Sequence, residues 1–312
     1  MRLAQSGRCA VLVMLYAVTG VAATPAERLD VARIADGVFV HEGAQAEADD
    51  TNQGDIANLA FVIGRDCVAV IDTGGSPAVG QALRRSIEAV TATPVCYVIN
   101  THMHPDHVLG NRAFVGADTR FIAAAGFQRA LAARGTTYLD RAEDTMGMTA
   151  DRDWLVMPDQ VVEDHTELDL GGRRLELTAW PSAHTNNDLS VFDSASRTLF
   201  TGDLLFVDRV PAIDASLTGW LAVMDTLAAK PEEVAHVVPG HGPIGTDLAS
   251  MLAPQRRYLS AIRDDVSRAI AAGYDLNHAL DHTALGERDR WLLFDDYHKR
   301  NVTVAYTELE WQ

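Results

Sequence analysis

The segment HMHPDH places three histidines and one aspartate within six positions. The preceding residues VCYVIN predict a buried strand, and Pro105 suits the first turn of a helix that follows it. His102 and His104 are alternate residues at the strand end and can point the same way. Asp106 and His107 then project from the helical turn toward the same volume. Imidazole and carboxylate are ligands that zinc and similar divalent metals favour, so this bend predicts a metal site.

Three more residues with suitable side chains flank apolar segments elsewhere in the chain. His184 lies in PSAHTNND just before a predicted strand, Asp203 lies in LFTGDLLF after one, and His241 lies in the glycine-rich segment HVVPGHGP. Loops at the ends of strands build the active sites of layered folds. We therefore expect these residues to complete the same site.

The elements that must position these residues form two successive groups. GVFVHEG, NLAFVIG and CVAVIDTGG predict short strands, SPAVGQALRRSIEAV predicts a capped amphipathic helix, and PVCYVINTH predicts a buried strand. Helical segments are expected from about residue 124 to residue 148. TELDLGGRRLELTAWP and DLSVFDSASRTLFTGD then predict strands, with turns at Gly171 and Gly172 and at residues 193–196. The helix SLTGWLAVMDTLAAK, the strand HVVPGHG and a mostly helical tail from about residue 247 follow. This order predicts two similar halves, each a sheet with helices on its outer face.

Composition limits the classes of function. The chain has 312 residues, of which 47% are hydrophobic and 22% charged, so it can bury the core of one large domain or two small ones. Its formal net charge of -17 argues against nucleic acid or an anionic membrane as a partner. The composition fits an enzyme that acts on a small molecule.

Residues 1–23 are typical of a secretory signal peptide. Arg2 and Arg8 precede the apolar run AVLVMLYAVTGVA, and small residues follow, which predicts cleavage after about Ala23. The mature chain, 24–312, would then be a single domain with a helical C-terminal tail, located in the periplasm or secreted. An uncleaved membrane anchor is the alternative. Cleavage removes two positive charges and no negative ones, so the formal net charge changes from -17 to -19.

Cys67 and Cys96 remain in the predicted mature chain, each at the start of an apolar strand-like segment. An exported protein could join them in a disulfide if the two strands are neighbours. Buried free thiols are the favoured interpretation. Two cysteines do not form a zinc site by themselves.

These motifs together resemble the metallo-β-lactamase fold superfamily over about residues 33–245, including VIDTGG ahead of the first histidines. The resemblance implies an α+β fold, a four-layer αββα sandwich with the site at one edge of the paired sheets. It also implies two zinc ions per chain. The implied ligands are His102, His104 and His184 for one zinc and Asp106, His107 and His241 for the other, with Asp203 bridging both. Asp72 would steady these ligands or serve as a turn residue at a strand end.

The implied chemistry is hydrolysis. Zinc lowers the pKa of bound water, and hydroxide held between two metals would attack the carbonyl of an ester, thioester, lactone or β-lactam. Asp106 and Asp203 are the residues we expect to be catalytic as well as metal-binding.

Several positions differ from those of known branches of the superfamily. Asp203 stands where cysteine-containing lactamases have cysteine, and this resembles glyoxalase II and lactonase-like relatives. Phe206 stands where lactonases often have tyrosine, and FVDRVP offers only Arg209 as a basic residue of the kind that glyoxalase II-like enzymes use for glutathione.

The segment GDLLFVDRVPAIDASLTGWLAVMDTLA, together with the signal peptide, is similar to exported zinc hydrolases of the quinoprotein relay system group and to sulfur-oxidation-associated relatives. This similarity suggests a link to a periplasmic quinoprotein dehydrogenase system.

Three classes of function remain open. The first is an exported zinc hydrolase of a small molecule, a β-lactamase included. The second is a mononuclear iron enzyme resembling a sulfur dioxygenase, which would use mainly His102, His104 and His184, and the third is a non-catalytic metal-binding protein. The set of seven ligands favours two metals and the first class. The other histidines are interpreted as surface or structural residues, namely His41, His165, His236, His278, His282 and His298.

Overall fold

The computed structural model describes residues 27–229 and 234–311, so the predicted signal peptide lies outside the described part of the chain. Two β-sheets pack face to face, with helices on their outer sides. The predicted α+β sandwich is confirmed.

The first sheet contains seven strands in chain order within the described residues. They are β1 (Ala32–Ala35), β2 (Val38–His41), β3 (Leu59–Ile63), β4 (Val68–Ile71), β5 (Val95–Ile99), β6 (Arg120–Ala124) and β7 (Gln160–Val162). Strands β1 to β4 are antiparallel to their neighbours, whereas β4 to β7 run parallel. The parallel strands bring their carboxyl ends, and the residues that follow, to one edge of the sheet.

The second sheet has the order β12, β11, β10, β9, β8. Its strands are β8 (His165–Asp169), β9 (Arg174–Ala179), β10 (Leu189–Asp193), β11 (Thr198–Phe206) and β12 (His236–His241). The predicted turn between β8 and β9 is present, with Gly171 and Gly172 at φ of 90° and 82°. The pair β11 and β12 is parallel, and the other pairs are antiparallel.

The helices within the described residues are α1 (Pro77–Val90), α2 (Pro105–Val108), α3 (Phe127–Met146), α4 (Leu217–Leu227), α5 (Leu248–Ala271), α6 (Leu276–His282) and α7 (Phe294–Leu309). Short 3-10 helices lie at Leu109–Phe114, Arg152–Trp154 and Leu285–Arg290. The Ser76 side chain accepts a hydrogen bond from the amide of Val79 and caps α1, as its sequence predicts. None of the helices in the described ranges has the length and apolar character needed to cross a membrane.

Three buried layers hold the sandwich together. The layer between the sheets includes Val62, Val191 and Phe200. Outside the first sheet, Phe61 packs in a cluster with Leu83 of α1. Outside the second sheet, a larger cluster joins β11 and β12 to α4, α5 and α7. Burial on both faces explains why the central strands β3, β4 and β11 are nearly continuous apolar runs.

Some elements were not predicted. Strands β1 and β7 are short edge strands with few buried residues, so their sequences ARIA and QVV carry little hydrophobic periodicity. Strand β6 ends in two alanines that also suit a helix, and the helix predicted from about residue 124 begins instead at Phe127. Gly126, with φ of 88°, separates the two elements.

Cys67 and Cys96 form a disulfide, with Cα atoms 5.7 Å apart. The favoured interpretation as free thiols was therefore wrong. Because β4 and β5 are parallel neighbours, the residue before β4 lies beside the start of β5. Sequence alone does not state that these two strands are adjacent.

Candidate metal centre

The loop after β5 carries the first group of histidines. His102 and His104 lie in this loop, and Asp106 and His107 lie on α2, whose first residue is Pro105 as predicted. These residues therefore stand at the carboxyl edge of the parallel part of the first sheet.

Asp72 holds this loop in place from the end of β4. Its Oδ1 accepts a hydrogen bond from the amide of Thr101 at 2.8 Å, and its Oδ2 accepts one from the Thr101 hydroxyl at 2.7 Å. Asp72 has φ of 57°, a left-handed conformation that aspartate and asparagine adopt more readily than most residues. Both of its alternative predicted roles, a strand-end turn residue and a support for the site, are consistent with these contacts.

The second sheet supplies the other three candidate ligands. His184 lies in the loop between β9 and β10, and His241 is the last residue of β12. Asp203 was expected just after a strand, but β11 continues through it to Phe206. The pairing of β11 with β12 shifts register on both sides of Gly202, which has φ of 52°. Such an irregularity re-aims the following side chain, which here is the Asp203 carboxylate.

All seven candidate ligands lie in two adjoining clusters. Within each cluster, the potential ligand atoms lie within 4.8 Å of one another. The clusters are His102, His104, His184 and Asp203, and Asp106, His107 and His241.

The carboxylate of Asp203 faces both clusters. Its Oδ2 lies 3.3 Å from Nε2 of His184 and 3.6 Å from Nε2 of His102. Its Oδ1 lies 3.2 Å from Nε2 of His107 and 3.4 Å from Nε2 of His241. One oxygen is thus directed to each cluster, which is the arrangement of a bridging carboxylate.

Each histidine of the clusters has one ring nitrogen engaged away from the site. Nδ1 of His107 lies 2.8 Å from Oδ2 of Asp72, and Nδ1 of His102 lies 3.1 Å from the Thr101 hydroxyl. Nδ1 of His184 lies 2.6 Å from the carbonyl oxygen of Ala212.

His241 and His104 also have one ring nitrogen in contact with a group outside the clusters. Nδ1 of His241 lies 2.8 Å from the carbonyl oxygen of Ile56. His104 is reversed, because its Nε2 lies 3.2 Å from Oδ2 of Asp214 and its Nδ1 faces Nε2 of His184 at 3.0 Å. Contacts of this kind fix the tautomer and ring orientation of metal-binding histidines.

Several atoms directed into the centre have no hydrogen-bond partner among the described residues. They are Nε2 of His102, Nε2 of His107 and Oδ1 of Asp203, all buried. Buried polar atoms are nearly always satisfied, so orphaned imidazole and carboxylate atoms that converge on one volume fit metal ligands. The side chains present therefore match divalent metal ions in number, type and orientation.

The electrostatics of the centre favour a cation. Burial would raise the pKa of Asp203, but the neighbouring His241, His107 and His102 hold it well below its ordinary value. Burial would lower the pKa of His107, but the charges of Asp203 and Asp106 raise it well above its ordinary value. The pKa of His184 falls to about 3, mainly because the ring is desolvated. Metals bind neutral imidazole, so a bound cation would displace the protons that the carboxylates favour on His107 and His241 and would take over their pairing with Asp203.

Asp214 is a residue of the centre that sequence reasoning missed. Besides its contact with His104, it accepts a hydrogen bond from Arg300 at 2.6 Å and pairs with Arg134. Its side chain is only 7% exposed, and the pKa of its carboxyl lies well below the ordinary value, since His104 and Arg134 outweigh the effect of burial. Arg134 and Arg300 belong to helices far apart in the chain, so no local motif connects them to Asp214.

A cavity of about 730 Å³ opens over the two clusters. Its floor includes His104, Asp106, His184, Asp203 and His241. Its walls include Glu47, Arg134, Tyr138, Arg141, Met146, Phe206, Arg209, Tyr297 and Arg300. A cavity of this volume suits a small-molecule substrate.

Phe206 forms an apolar wall of the centre. Its ring stacks on His241 with centroids 5.1 Å apart and lies 5.6 Å from His184 and 6.1 Å from Trp220. It packs against a ligand of each cluster and keeps that side of the centre dry.

The six other histidines lie outside the two clusters, as predicted. His41 and His298 have structural contacts, with Asp55 and with Tyr258 respectively. The others are half-buried or exposed, namely His165, His236, His278 and His282.

Comparison with known proteins agrees with this geometry. The family model described as the metallo-beta-lactamase superfamily matches residues 53–241, more than half of the 312-residue chain. Among solved structures, the stereoselective inverting sec-alkylsulfatase Pisa1 from Pseudomonas sp. matches with a TM-score of 0.70 and 16% identity over 90% of this chain and 50% of that one. The chain thus spans about half the length of that alkylsulfatase. A metallo-beta-lactamase from Pontibacter korlensis matches with a TM-score of 0.60 and 21% identity over 75% of this chain and 99% of that one. At these identities, the structural likeness concerns the fold.

Proposed function

The chain belongs to the metallo-beta-lactamase superfamily of metal-dependent hydrolases, and we propose that it is an exported binuclear zinc hydrolase. Its substrate would be a small molecule with a hydrolysable carbonyl group, in an ester, thioester, lactone or β-lactam.

The position of Asp203 is the observation that carries the proposal. It directs one carboxylate oxygen to each cluster, at 3.3 Å from His184 and 3.2 Å from His107. A single metal would leave part of this set of buried ligands without a function. Two dications that shared this carboxylate would use all seven residues.

Zinc ions bound there would lower the pKa of water from about 15.7 to near 7 and polarise the carbonyl of the substrate. The chain itself would contribute orientation and charge. Asp203 would offset part of the charge of the two metals, and Asp106, which lines the cavity floor, would lie beside the attacking water. These two carboxylates are the catalytic residues of the proposal.

Residues around the ligands would keep the centre preorganised. Asp72 holds His107, and the carbonyl oxygens of Ala212 and Ile56 hold His184 and His241. The aromatic rings of Phe206 and Trp220 exclude water from one side, which strengthens the electrostatic interactions inside.

A mononuclear iron enzyme resembling a sulfur dioxygenase is the alternative. It would use mainly His102, His104 and His184. The second cluster of Asp106, His107 and His241, in which both histidines are buried, argues for the hydrolase. Among hydrolases, a β-lactamase stays an alternative, although Asp203 replaces the cysteine of the cysteine-containing type.

The proposed export to the periplasm is supported by two features outside the metal centre. The N-terminal sequence has the order of a signal peptide, and a disulfide joins Cys67 to Cys96, a bond typical of proteins outside the cytosol. We further propose a link to a periplasmic quinoprotein dehydrogenase system, which rests on the sequence similarity alone. Intact mass of protein from the periplasmic fraction should give an N-terminus close to Thr24. A full-length protein recovered only from membranes would contradict the cleaved signal.

Metal analysis combined with a substrate panel tests the proposed activity. Purified protein supplied with zinc should contain about two zinc ions per chain and hydrolyse at least one ester, thioester, lactone or β-lactam. Chelation should abolish turnover and added zinc should restore it. Full activity with one iron ion and no zinc would overturn the proposal in favour of the iron enzyme.

A further inference from the structure

Four arginines line the cavity of an otherwise acidic protein. The formal net charge of the chain is -17, yet Arg134, Arg141, Arg209 and Arg300 all border the space above the clusters. Sequence analysis had recognised only Arg209 as a basic residue near the site. Four carboxylates line the same cavity, namely Glu47, Asp106, Asp203 and Asp214, so its lining is balanced in formal charge whereas the whole chain is acidic.

Arg209 is neutralised within the wall. Its guanidinium lies 3.0 Å from a carboxylate oxygen of Glu47 and donates to the Tyr297 hydroxyl at 3.0 Å. It also donates to the carbonyl oxygen of Ala46 at 3.1 Å. The side chain is only 5% exposed, so its function is to join the wall segments rather than to meet a ligand.

Outside the metal clusters, the other three arginines have one cavity carboxylate among them. Arg134 and Arg300 share the single carboxylate of Asp214, which His104 also contacts. Arg141 is exposed at the cavity and forms no ion pair with the described residues. The remaining cavity carboxylates, Glu47 apart, belong to the metal clusters.

These charges lie on two helices, α3 and α7, that both contact Asp214 and both line the cavity. Arg134, Tyr138, Arg141 and Thr145 line the cavity at the spacing of one face of α3. Arg300 and Tyr297 come from α7, which lies beyond the residues 53–241 that match the superfamily. The C-terminal helix thus adds a wall, with a positive charge, to the shared fold.

We propose that the substrate carries an anionic group, such as a carboxylate or a sulfonate, which Arg141 binds. The inference rests on the proposed function, since it places the reacting carbonyl over the clusters and the anionic group toward α3 and α7. A guanidinium binds such anions with paired N–H donors. Arg141 has no ion pair with the described residues, so it would not have to break one to bind the substrate.

Binding of a non-hydrolysable anion tests the proposal independently of turnover. Hexanesulfonate and hexanol have the same alkyl chain, and isothermal calorimetry on the zinc-loaded protein compares their affinities. We expect the sulfonate to bind at least about 10-fold more tightly, and Arg141→Gln to lose about 10-fold in sulfonate affinity only. Arg141→Lys should retain part of the preference because it keeps the charge.

Arg129→Gln is the matched control, because Arg129 is an exposed residue of the same helix that does not line the cavity. It should bind both compounds as the wild type does. Equal affinity of the wild type for sulfonate and alcohol would overturn the proposal, as would an Arg141→Gln variant with unchanged sulfonate affinity.

A kinetic comparison separates this inference from the proposed function. The 4-nitrophenyl esters of butyric acid and of succinic acid differ by a free carboxylate. The wild type should prefer the succinate ester in kcat/KM by about 10-fold, and in Arg141→Gln the ratio of the two kcat/KM values should fall to near one. Turnover of both esters without preference would overturn the inference and leave the hydrolase proposal standing. Sulfonate binding through Arg141 without turnover of any panel substrate would support the inference and count against hydrolysis.

Discussion

Nε2 of His104 lies 3.2 Å from Oδ2 of Asp214, which links a candidate metal ligand to the arginines of the cavity wall. The contact explains why His104 alone among the clustered histidines directs Nδ1 to the centre. Arg134 and Arg300 bind the same carboxylate. The orientation of His104 and the positions of two cavity arginines therefore both depend on Asp214.

Asp214→Asn should weaken metal binding. The amide keeps an acceptor for His104 but removes the charge that holds two guanidinium groups. We expect a loss of about 10- to 100-fold in zinc affinity, measured by competition with a chelator. Asp225→Asn, at an exposed ion pair on α4, is the control and should have no effect. Equal zinc affinity in the Asp214 variant would show that the contact does not support the ligand.

Asp72→Asn tests the support of the other cluster. Asparagine tolerates the φ of 57° at this position, so the backbone should be preserved. The carboxylate accepts hydrogen bonds from Thr101 and from Nδ1 of His107, and an amide in its place must turn its NH₂ group toward one of these donors. We expect a loss of about 1–3 kcal/mol in the free energy of unfolding and weaker zinc binding.

Denaturant unfolding with and without zinc measures both effects of Asp72→Asn. Asp153→Asn, at an exposed ion pair with Arg112, should change the free energy of unfolding by less than about 0.5 kcal/mol. An Asp72 variant as stable as the wild type would contradict a supporting role.

His41 should make stability depend on pH. Burial would lower its pKa, but the hydrogen bond and charge of Asp55 raise it above 6.5. Because the pKa of His41 is raised in the folded state, its interaction with Asp55 contributes fully to the free energy of unfolding below pH 6.5. This contribution disappears as the pH rises through the folded-state pKa. His41→Gln should therefore lower the free energy of unfolding more below pH 6.5 than above neutrality. A difference in unfolding free energy that grows with pH would contradict this assignment.

The sequence predicts those parts of the site that depend on local spacing. His102, His104, Asp106 and His107 are close in space because a strand, a bend and one helical turn place them so, and these features are visible in six residues. The central strands β3, β4 and β11 are also predictable, because burial on both faces makes each of them an apolar run in the sequence.

Contacts between distant segments are not visible in this way. Asp214 meets Arg134 and Arg300 only through the packing of α3 and α7 around one loop. The disulfide of Cys67 and Cys96 depends on the adjacency of β4 and β5. The spacing of residues along the chain predicts neither the order of the strands in a sheet nor the packing of the helices.

The metal content and hydrolysis rate of Asp203→Asn test the central claim most directly. The amide keeps the size of the side chain and one acceptor oxygen, but it removes the negative charge placed 3.3 Å from His184 and 3.2 Å from His107. At matched free zinc, the variant should hold clearly less than two zinc ions per chain, and its hydrolysis of the best panel substrate should fall by at least about 100-fold. A variant with two zinc ions and wild-type turnover would contradict the bridging function of Asp203 and the binuclear centre built on it.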